Sequence, residues 1–158
     1  YETQLMGFEA IGSISSGGRY DALARDGRTT YPGVGISLGV TRLVSVLLGR
    51  ELVRATRATP SVVLIAVADE STRAESERIA GILRDRGIAC EVAPVADKFG
   101  KQIRFADRRG IPFVWFPGAS HEVKDIRSGE QVTADPGAWA PPADDRHPRI
   151  LPIDGGVA

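Results

Sequence analysis

Residues 61–67 read Ser-Val-Val-Leu-Ile-Ala-Val, and residues 112–116 read Pro-Phe-Val-Trp-Phe. Continuous apolar runs of this length are typical of strands covered on both faces, as in parallel sheets. Between them lie two stretches with apolar residues at helical spacing, 73–86 and 98–109, each followed by a glycine, and a short strand at 89–92. This alternation predicts a βαβαβ unit with right-handed crossovers and a mainly parallel sheet with flanking helices.

The chain after the third of these strands predicts a different kind of pairing. Residues 122–126 and 130–133 have strand character, and the sequence Arg-Ser-Gly-Glu at 127–130 is typical of a hairpin turn. We therefore expect antiparallel strands at the edge of the sheet. From residue 134 onward the frequent prolines exclude long regular elements, so the sequence predicts an extended tail that packs in part through Trp139 and Ile150.

The segment before the sheet differs in character. Residues 1–50 contain glycine-rich turns, a strand at 36–40 and an apolar helix at 41–48 that is predicted to be buried, and the first residues alternate like a strand already under way. A start without methionine suggests a fragment of a longer protein. The predicted organisation is a partial domain at 1–50, a linker at 51–60, an α/β domain at 61–133 and a Pro-rich extended tail at 134–158.

Composition narrows the possible functions. Lysine plus arginine (20) balances aspartate plus glutamate (20), which argues mildly against nucleic-acid binding and requires any RNA contact to come from a local patch. Cys90 is the single cysteine, so no intrachain disulfide can form, and a reducing compartment fits. No apolar run is long enough to span a bilayer. His121 and His147 have no metal-ligating neighbours in the sequence, so we expect no metal site.

Two glycine-rich stretches contain residues suited to ligand binding. In Gly17-Gly18-Arg19-Tyr20-Asp21 the glycines allow a ligand to approach the backbone, although a hairpin turn flanked by polar surface explains the same pattern. In residues 33–42 the glycines Gly33, Gly35 and Gly39 leave a strand face open, and Arg42 could reach an anion there. The alternative is a strand bulge with an arginine that caps a neighbouring element.

Taken together, these two glycine-rich stretches indicate a protein family more specifically than either stretch does alone. The order Gly-Gly-Arg-Tyr-Asp at 17–21 and Pro-Gly-Val-Gly-Ile-Ser-Leu-Gly-Val-Thr-Arg-Leu at 32–43 resembles the histidyl-tRNA synthetases. Residues 105–113 and 123–131 resemble the anticodon-binding domain of that family, and the likeness covers about residues 1–132. It implies a partial antiparallel segment of a class II catalytic domain, followed by a class IIa anticodon-binding domain with an α/β fold.

The resemblance also implies roles for particular residues. Tyr20 would line a histidine pocket shaped by Gly17 and Gly18. Arg42 would be catalytic, binding ATP phosphate and stabilising charge during adenylation, while Gly35 and Gly39, assigned to the ATP site, would let the adenine or the amino acid approach the sheet. The parent enzyme would ligate histidine to its tRNA through histidyl-adenylate, using ATP and Mg²⁺, as a cytoplasmic homodimer. The first two class II signatures are not in these residues, so the 158-residue chain alone is predicted to be inactive.

Candidate RNA-binding residues lie in the second half. Glu122 and Lys124 follow the third strand of the α/β unit, where related anticodon domains use acidic and basic residues. The helix at 98–109 places basic side chains on its outer side, which could bind phosphates or could be an ordinary solvated face: Lys98, Lys101, Arg104 and Arg108. Two alternatives to a synthetase stay open. One is a non-catalytic paralogue such as the regulatory subunit of ATP phosphoribosyltransferase, and the other is a stand-alone RNA-binding or protein-interaction module.

Overall fold

A computed structural model describes residues 1–153, and strands alternate with helices between residues 63 and 116. In chain order the strands are β1 (Glu2–Thr3), β2 (Ser15–Asp26), β3 (Thr29–Leu38), β4 (Val53–Ala55), β5 (Val63–Ile65), β6 (Cys90–Val92), β7 (Phe113–Phe116), β8 (Glu122–Asp125), β9 (Gln131–Thr133) and β10 (Ile150–Pro152). The helices are α1 (Val40–Gly49), α2 (Arg73–Asp85), α3 (Phe99–Arg109) and α4 (Ala143–Arg146), with 3₁₀ turns at Glu9–Ile11 and Glu70–Thr72.

The chain divides into two compact units. One comprises Tyr1–Arg54 together with Pro152 and Ile153, and the other comprises Ala55–Leu151. The boundaries at 50, 60 and 133 stay predictions. The sequence did not suggest two of the strands. β4 lies within the expected linker, and it pairs with β10, from the expected tail, in a two-stranded sheet.

A five-stranded mixed sheet forms the second unit, in the order β6-β5-β7-β8-β9. β5 pairs in parallel with β6 and with β7, whereas β7-β8 and β8-β9 are antiparallel. The α/β fold and its antiparallel edge, both predicted from the sequence, are confirmed. Gly129, at φ +82°, allows the tight turn between β8 and β9, where its N–H donates to the Asp125 carbonyl at 2.8 Å.

Apolar side chains cover the two faces of this sheet separately. Residues 62–67 are fully buried, which explains why the first strand has no polar alternation. On one face Val63, Ile65 and Trp115 pack with Ile79 and Leu83 of α2. On the other, a cluster includes Leu64, Val114, Phe116 and Ala106 of α3. The helices therefore lie on opposite faces, as right-handed crossovers require.

The Pro-rich tail packs closely on the second unit. The Trp139 ring lies edge-on against Phe113 and Trp115, with ring centroids 5.6 Å apart in both cases. The Arg86 guanidinium, just after α2, donates to the carbonyls of Pro136, Ala138 and Trp139. Ile150, expected to pack, is 63% exposed. The proline-rich tail has few side chains that can pack, and much of its contact with the rest of the unit is made by its backbone carbonyls.

A three-stranded antiparallel sheet, in the order β1-β2-β3, forms most of the first unit. Residues 17–21, expected to form a loop or turn, lie inside the twelve-residue strand β2 instead. The reversal occurs at Gly27, at φ +53°. Helix α1 forms as predicted, but the expectation that it is buried is wrong: no residue in 1–54 is buried, because no second apolar layer packs on this helix or sheet within the unit.

Candidate nucleic-acid interface and glycine-rich cleft

Glu122 and Lys124 project from one face of β8. Val123 between them is 2% exposed and packs on the α2 side of the sheet. Strand register sets Glu122 opposite Phe116 and Lys124 opposite Val114, and both of these partners belong to the cluster on the α3 side. Because side chains alternate along a strand, the two charged residues share that second face.

This face is polar on β8 and β9 and aromatic on β7. The Gln131 side-chain amide donates to Glu122 Oε2 at 2.8 Å. No described residue forms an ion pair with Lys124. The Phe99 ring, at the start of α3, packs against Phe116 with centroids 4.9 Å apart and an interplanar angle of 58°. The face thus combines a carboxylate, an ammonium group and an aromatic ring at the carboxyl ends of the parallel strands, where α/β sheets bind ligands.

Helix α3 presents a basic outer side. Lys101, Arg104 and Arg108 are exposed at helical spacing. Lys101 forms an ion pair with Asp97 at 2.8 Å, and that contact is the largest cause that lowers the pKa of the Asp97 carboxyl. Arg104 and Arg108 form no ion pair with any residue in 1–153, so their charge is available to a partner. Within residues 1–153 no hydrogen bond or ion pair joins these basic side chains to Glu122 or Lys124.

The sequence analysis did not identify two residues of this surface. Phe99 is 38% exposed, because it opens helix α3 at the rim of the sheet. Gln131 was not singled out. The hairpin could have predicted its position. Pairing the strands on either side of the Gly129 turn places Gln131 opposite Lys124, and therefore on the same face of the sheet.

Glycines in the first unit permit very close backbone packing. A Cβ added at Gly17 would lie 2.2 Å from the Gly35 carbonyl oxygen and 2.5 Å from the Tyr1 ring. The Tyr1 hydroxyl donates to that same carbonyl at 2.6 Å. The Tyr20 ring lies over Gly35, where an added Cβ would come within 2.9 Å of it. Gly18, in contrast, has open space where a Cβ would lie, so close packing does not require a glycine at this position.

Arg42 lines a cleft beside these strands. The cleft is about 580 Å³ in volume and is bounded by residues 13–16 and 37–42. The Arg42 guanidinium donates to the Ser13 carbonyl. Gly39 begins the turn into α1, and its N–H donates to the Ile14 carbonyl at 2.8 Å. The structure therefore brings Arg42 and Gly39 together, while Tyr20 and Gly35 lie further along the same pair of strands.

Of the helices within residues 1–153, none has the length and hydropathy that crossing a bilayer requires. Within the same residues, no three His, Cys, Asp or Glu side chains are grouped so that they could hold a metal ion.

Comparison with known proteins points to one family. Residues 61–137 match the model of the anticodon binding domain. The chain is 61% identical to a histidine–tRNA ligase of Cutibacterium acnes, over 96% of this chain and 35% of that protein. It is 54% identical to that of Micrococcus luteus, over 95% of this chain and 34% of that protein.

A solved structure gives the same result. The chain is similar to the crystal structure of a histidyl-tRNA synthetase from Nostoc, with a TM-score of 0.52 and 34% identity over 86% of this chain and 34% of that one. The chain spans about a third of the length of these relatives. A non-catalytic paralogue is not favoured, because residues 61–137 match an anticodon domain and the relatives are ligases. Since this likeness extends through both units, the chain belongs to the histidine–tRNA ligase family, with its anticodon-binding domain at residues 61–137.

Proposed function

We propose that this chain provides anticodon recognition to a histidine–tRNA ligase, and that the α3 side of the β7-β8-β9 sheet is the surface that binds a histidine-specific tRNA. The observation that carries the proposal is the open sheet face, where Glu122 and Lys124 stand beside exposed aromatic surface. Single-stranded loop bases are recognised by stacking and by hydrogen bonds to their edges, and this face offers both.

The basic side of α3 supplies the complementary electrostatic contact. Lys101 and Arg104 are placed to bind phosphates of the stem or loop, because their charged ends are in solvent on a helix that flanks the sheet. Phosphate contacts fix the position of the RNA, and base contacts give it specificity. The chain as a whole has no net charge, but the basic side chains that would bind phosphates are concentrated on α3, so RNA binding is compatible with this balance.

Fluorescence anisotropy tests the proposal directly. A histidine-tRNA anticodon stem-loop is compared with the same hairpin carrying a changed anticodon, across a salt series. We expect tighter binding of the cognate hairpin at every salt concentration. Lys124→Met should weaken cognate binding by about fivefold or more, corresponding to about 1 kcal/mol. Arg28→Met, in the β2–β3 turn, removes the same charge far along the sequence and should leave binding unchanged. Equal binding of the two hairpins by the unmodified chain would refute the proposal.

We further propose that residues 1–50 contribute to the amino-acid and ATP sites of the whole ligase. In that assignment Tyr20, Gly17 and Gly18 belong to the histidine pocket, and Gly35, Gly39 and Arg42 to the ATP site. The cleft at Arg42 supports it, because a guanidinium beside glycine-rich backbone suits a phosphate. We propose that the whole ligase uses this ATP site together with Mg²⁺, although within residues 1–153 no three His, Cys, Asp or Glu side chains are grouped so that they could hold a metal ion by themselves.

Two broader properties complete the proposal. We propose that the whole ligase is a homodimer, as the family resemblance implies. A cytoplasmic location is supported by a single cysteine, Cys90, which is buried and whose thiol pKa is raised by burial.

A further inference from the structure

The tail of the second unit is held in two different ways. Pro136 and Pro141 are buried, and Trp139 packs against the core. From residue 142 to residue 150, in contrast, no residue is buried, and this stretch includes the whole of α4. Apolar packing therefore anchors the first part of the tail, whereas the second part, residues 142–150, which we call the strap, depends on polar contacts.

These polar contacts join the strap to residues 56–60, the lead-in segment that precedes β5. The Arg57 guanidinium donates through Nη1 to the Asp145 carbonyl at 2.6 Å, and through Nε and Nη2 to two carbonyls of its own segment at 2.8 and 2.9 Å. The Thr56 N–H donates to the Arg149 carbonyl, and the Arg149 N–H donates to Thr56 Oγ1, both at 2.9 Å. Each segment therefore supplies backbone hydrogen-bonding groups that the other satisfies.

The Asp145 side chain fixes the position of its end of the strap. Arg127 Nη1 and Nη2 donate to the two oxygens of the Asp145 carboxylate at 2.8 Å each, which is the bidentate arrangement that orients both partners. Burial lowers the pKa of the Arg57 guanidinium, the Asp145 carboxylate opposes that change, and the charge of Arg127 adds to it. One carboxylate of the strap thus offsets the charges of two arginines on the body of the unit.

The strap can separate from the unit at low cost. Arg127 also donates to both oxygens of Asp125, at 3.0 and 2.7 Å, so its charge stays paired when Asp145 leaves. Beside the strap lies a cavity of about 500 Å³, whose wall includes Ile111 and Pro112 at the start of β7. Opening therefore neither strips apolar side chains from a packed core nor leaves an unpaired buried charge, and such regions open locally before the fold is lost.

We propose that the Arg127–Asp145 ion pair is a latch: closed, it holds the strap on the lead-in segment and orders both, and open, it releases them while the sheet stays folded. Ionic strength sets the balance, because the pair lies at the surface, with the Arg127 side chain 51% and the Asp145 side chain 21% exposed. The inference goes beyond the proposed function. Both segments lie outside residues 61–137, and the latch is at the amino ends of the parallel strands, away from the proposed tRNA surface.

Amide hydrogen exchange of the folded 158-residue chain, followed by NMR, tests the latch. The Thr56 and Arg149 amides report on it, because each donates across the junction between the two segments. In low salt, Asp145→Asn should speed exchange of both amides about fivefold, as expected for the loss of one surface ion pair. Raising sodium chloride from about 0.05 M to about 1 M should speed the same amides about threefold in the parent chain and have no further effect in Asp145→Asn.

The adjacent carboxylate provides a matched control. Asp144 is 88% exposed and only 3.7 Å from its nearest cation, so Asp144→Asn should change the exchange of the two reporter amides less than about twofold. Arg127→Gln should release them as Asp145→Asn does, and the double variant should release them no further, because both substitutions break the same pair.

The amides of β5 distinguish opening of the latch from general unfolding. Their exchange should be the same in the parent chain and in Asp145→Asn, since the strap opens while the sheet stays folded. If β5 accelerates together with Thr56 and Arg149, the strap is not a separate unit and the proposal is overturned. It is equally overturned if Asp145→Asn leaves the two reporter amides unchanged, if Asp144→Asn releases them to the same extent, or if the parent chain does not respond to salt.

Discussion

The tail at residues 134–151 gives the sharpest test of where the second unit ends. Trp139 is the only aromatic residue of that segment, and its ring makes edge-to-face contacts with Phe113 and Trp115, both of which belong to the core. Its carbonyl accepts from Arg86 at 2.6 Å. If these contacts stabilise the fold, Trp139→Ala must lower the free energy of unfolding of the second unit, although the substitution lies outside the predicted domain at 61–133.

The expected magnitude follows from the contacts. Each edge-to-face aromatic pair contributes about 0.5–1.5 kcal/mol, and two such pairs are lost. Removing the part-buried indole from the core adds the loss of transferred apolar area, roughly another 1–2 kcal/mol. The free energy of unfolding should therefore fall by about 2–5 kcal/mol. With a denaturant slope of about 2 kcal/mol per molar urea, the midpoint should drop by about 1–2.5 M.

Tryptophan fluorescence isolates this effect. The chain has two tryptophans, and after the substitution Trp115 alone reports on the core of the second unit. Ile150→Ala is the matched control, since Ile150 lies in the same tail and is 63% exposed; its change should stay below about 0.5 kcal/mol. A Trp139→Ala variant with an unfolding midpoint within about 0.3 M of the parent's would refute the reasoning.

Four further predictions concern buried polarity, pH, salt and activity. Gln102 is 4% exposed and bonds both backbone polar groups of Val67, so Gln102→Leu should cost about 2–4 kcal/mol in urea unfolding, whereas exposed Gln131→Leu should not. Arg73 first, and then the Ala96 N–H, lower the pKa of Glu70 from 4.5 to about 2. This contribution to stability is therefore complete above pH 4.5 and is lost as the pH falls towards 2, so a stability deficit of Glu70→Gln at pH 7 should vanish near pH 2. Arg104→Gln should weaken both hairpins equally and reduce the salt slope by about 0.7; an unchanged slope would mean that this residue contacts no phosphate. The 158-residue chain should catalyse no histidine-dependent ATP–pyrophosphate exchange, and signal above background would contradict this expectation.

Much of the second unit was predictable because its signals are local. The buried strand β5 and the helices α2 and α3 follow from apolar periodicity, and both helices are followed by a glycine at positive φ, Gly87 and Gly110. The glycine-rich stretches of the first unit were also visible, and with them the family resemblance. Their secondary structure was not, since Gly17 and Gly18 lie in a long strand whose hydrogen bonds come from β1 and β3.

What the sequence determined by itself is therefore the order of the main elements of the second unit, the class of fold and the family. Tertiary structure decided the rest, because cross-strand register and side-chain packing join residues far apart in the chain. Register placed Glu122 opposite Phe116 and within reach of Gln131. Packing turned Phe99 to the rim and held the tail in place through Arg86, whose partners are backbone carbonyls about fifty residues away. Any residue provides such a carbonyl, so side-chain identity gave no sign of those contacts.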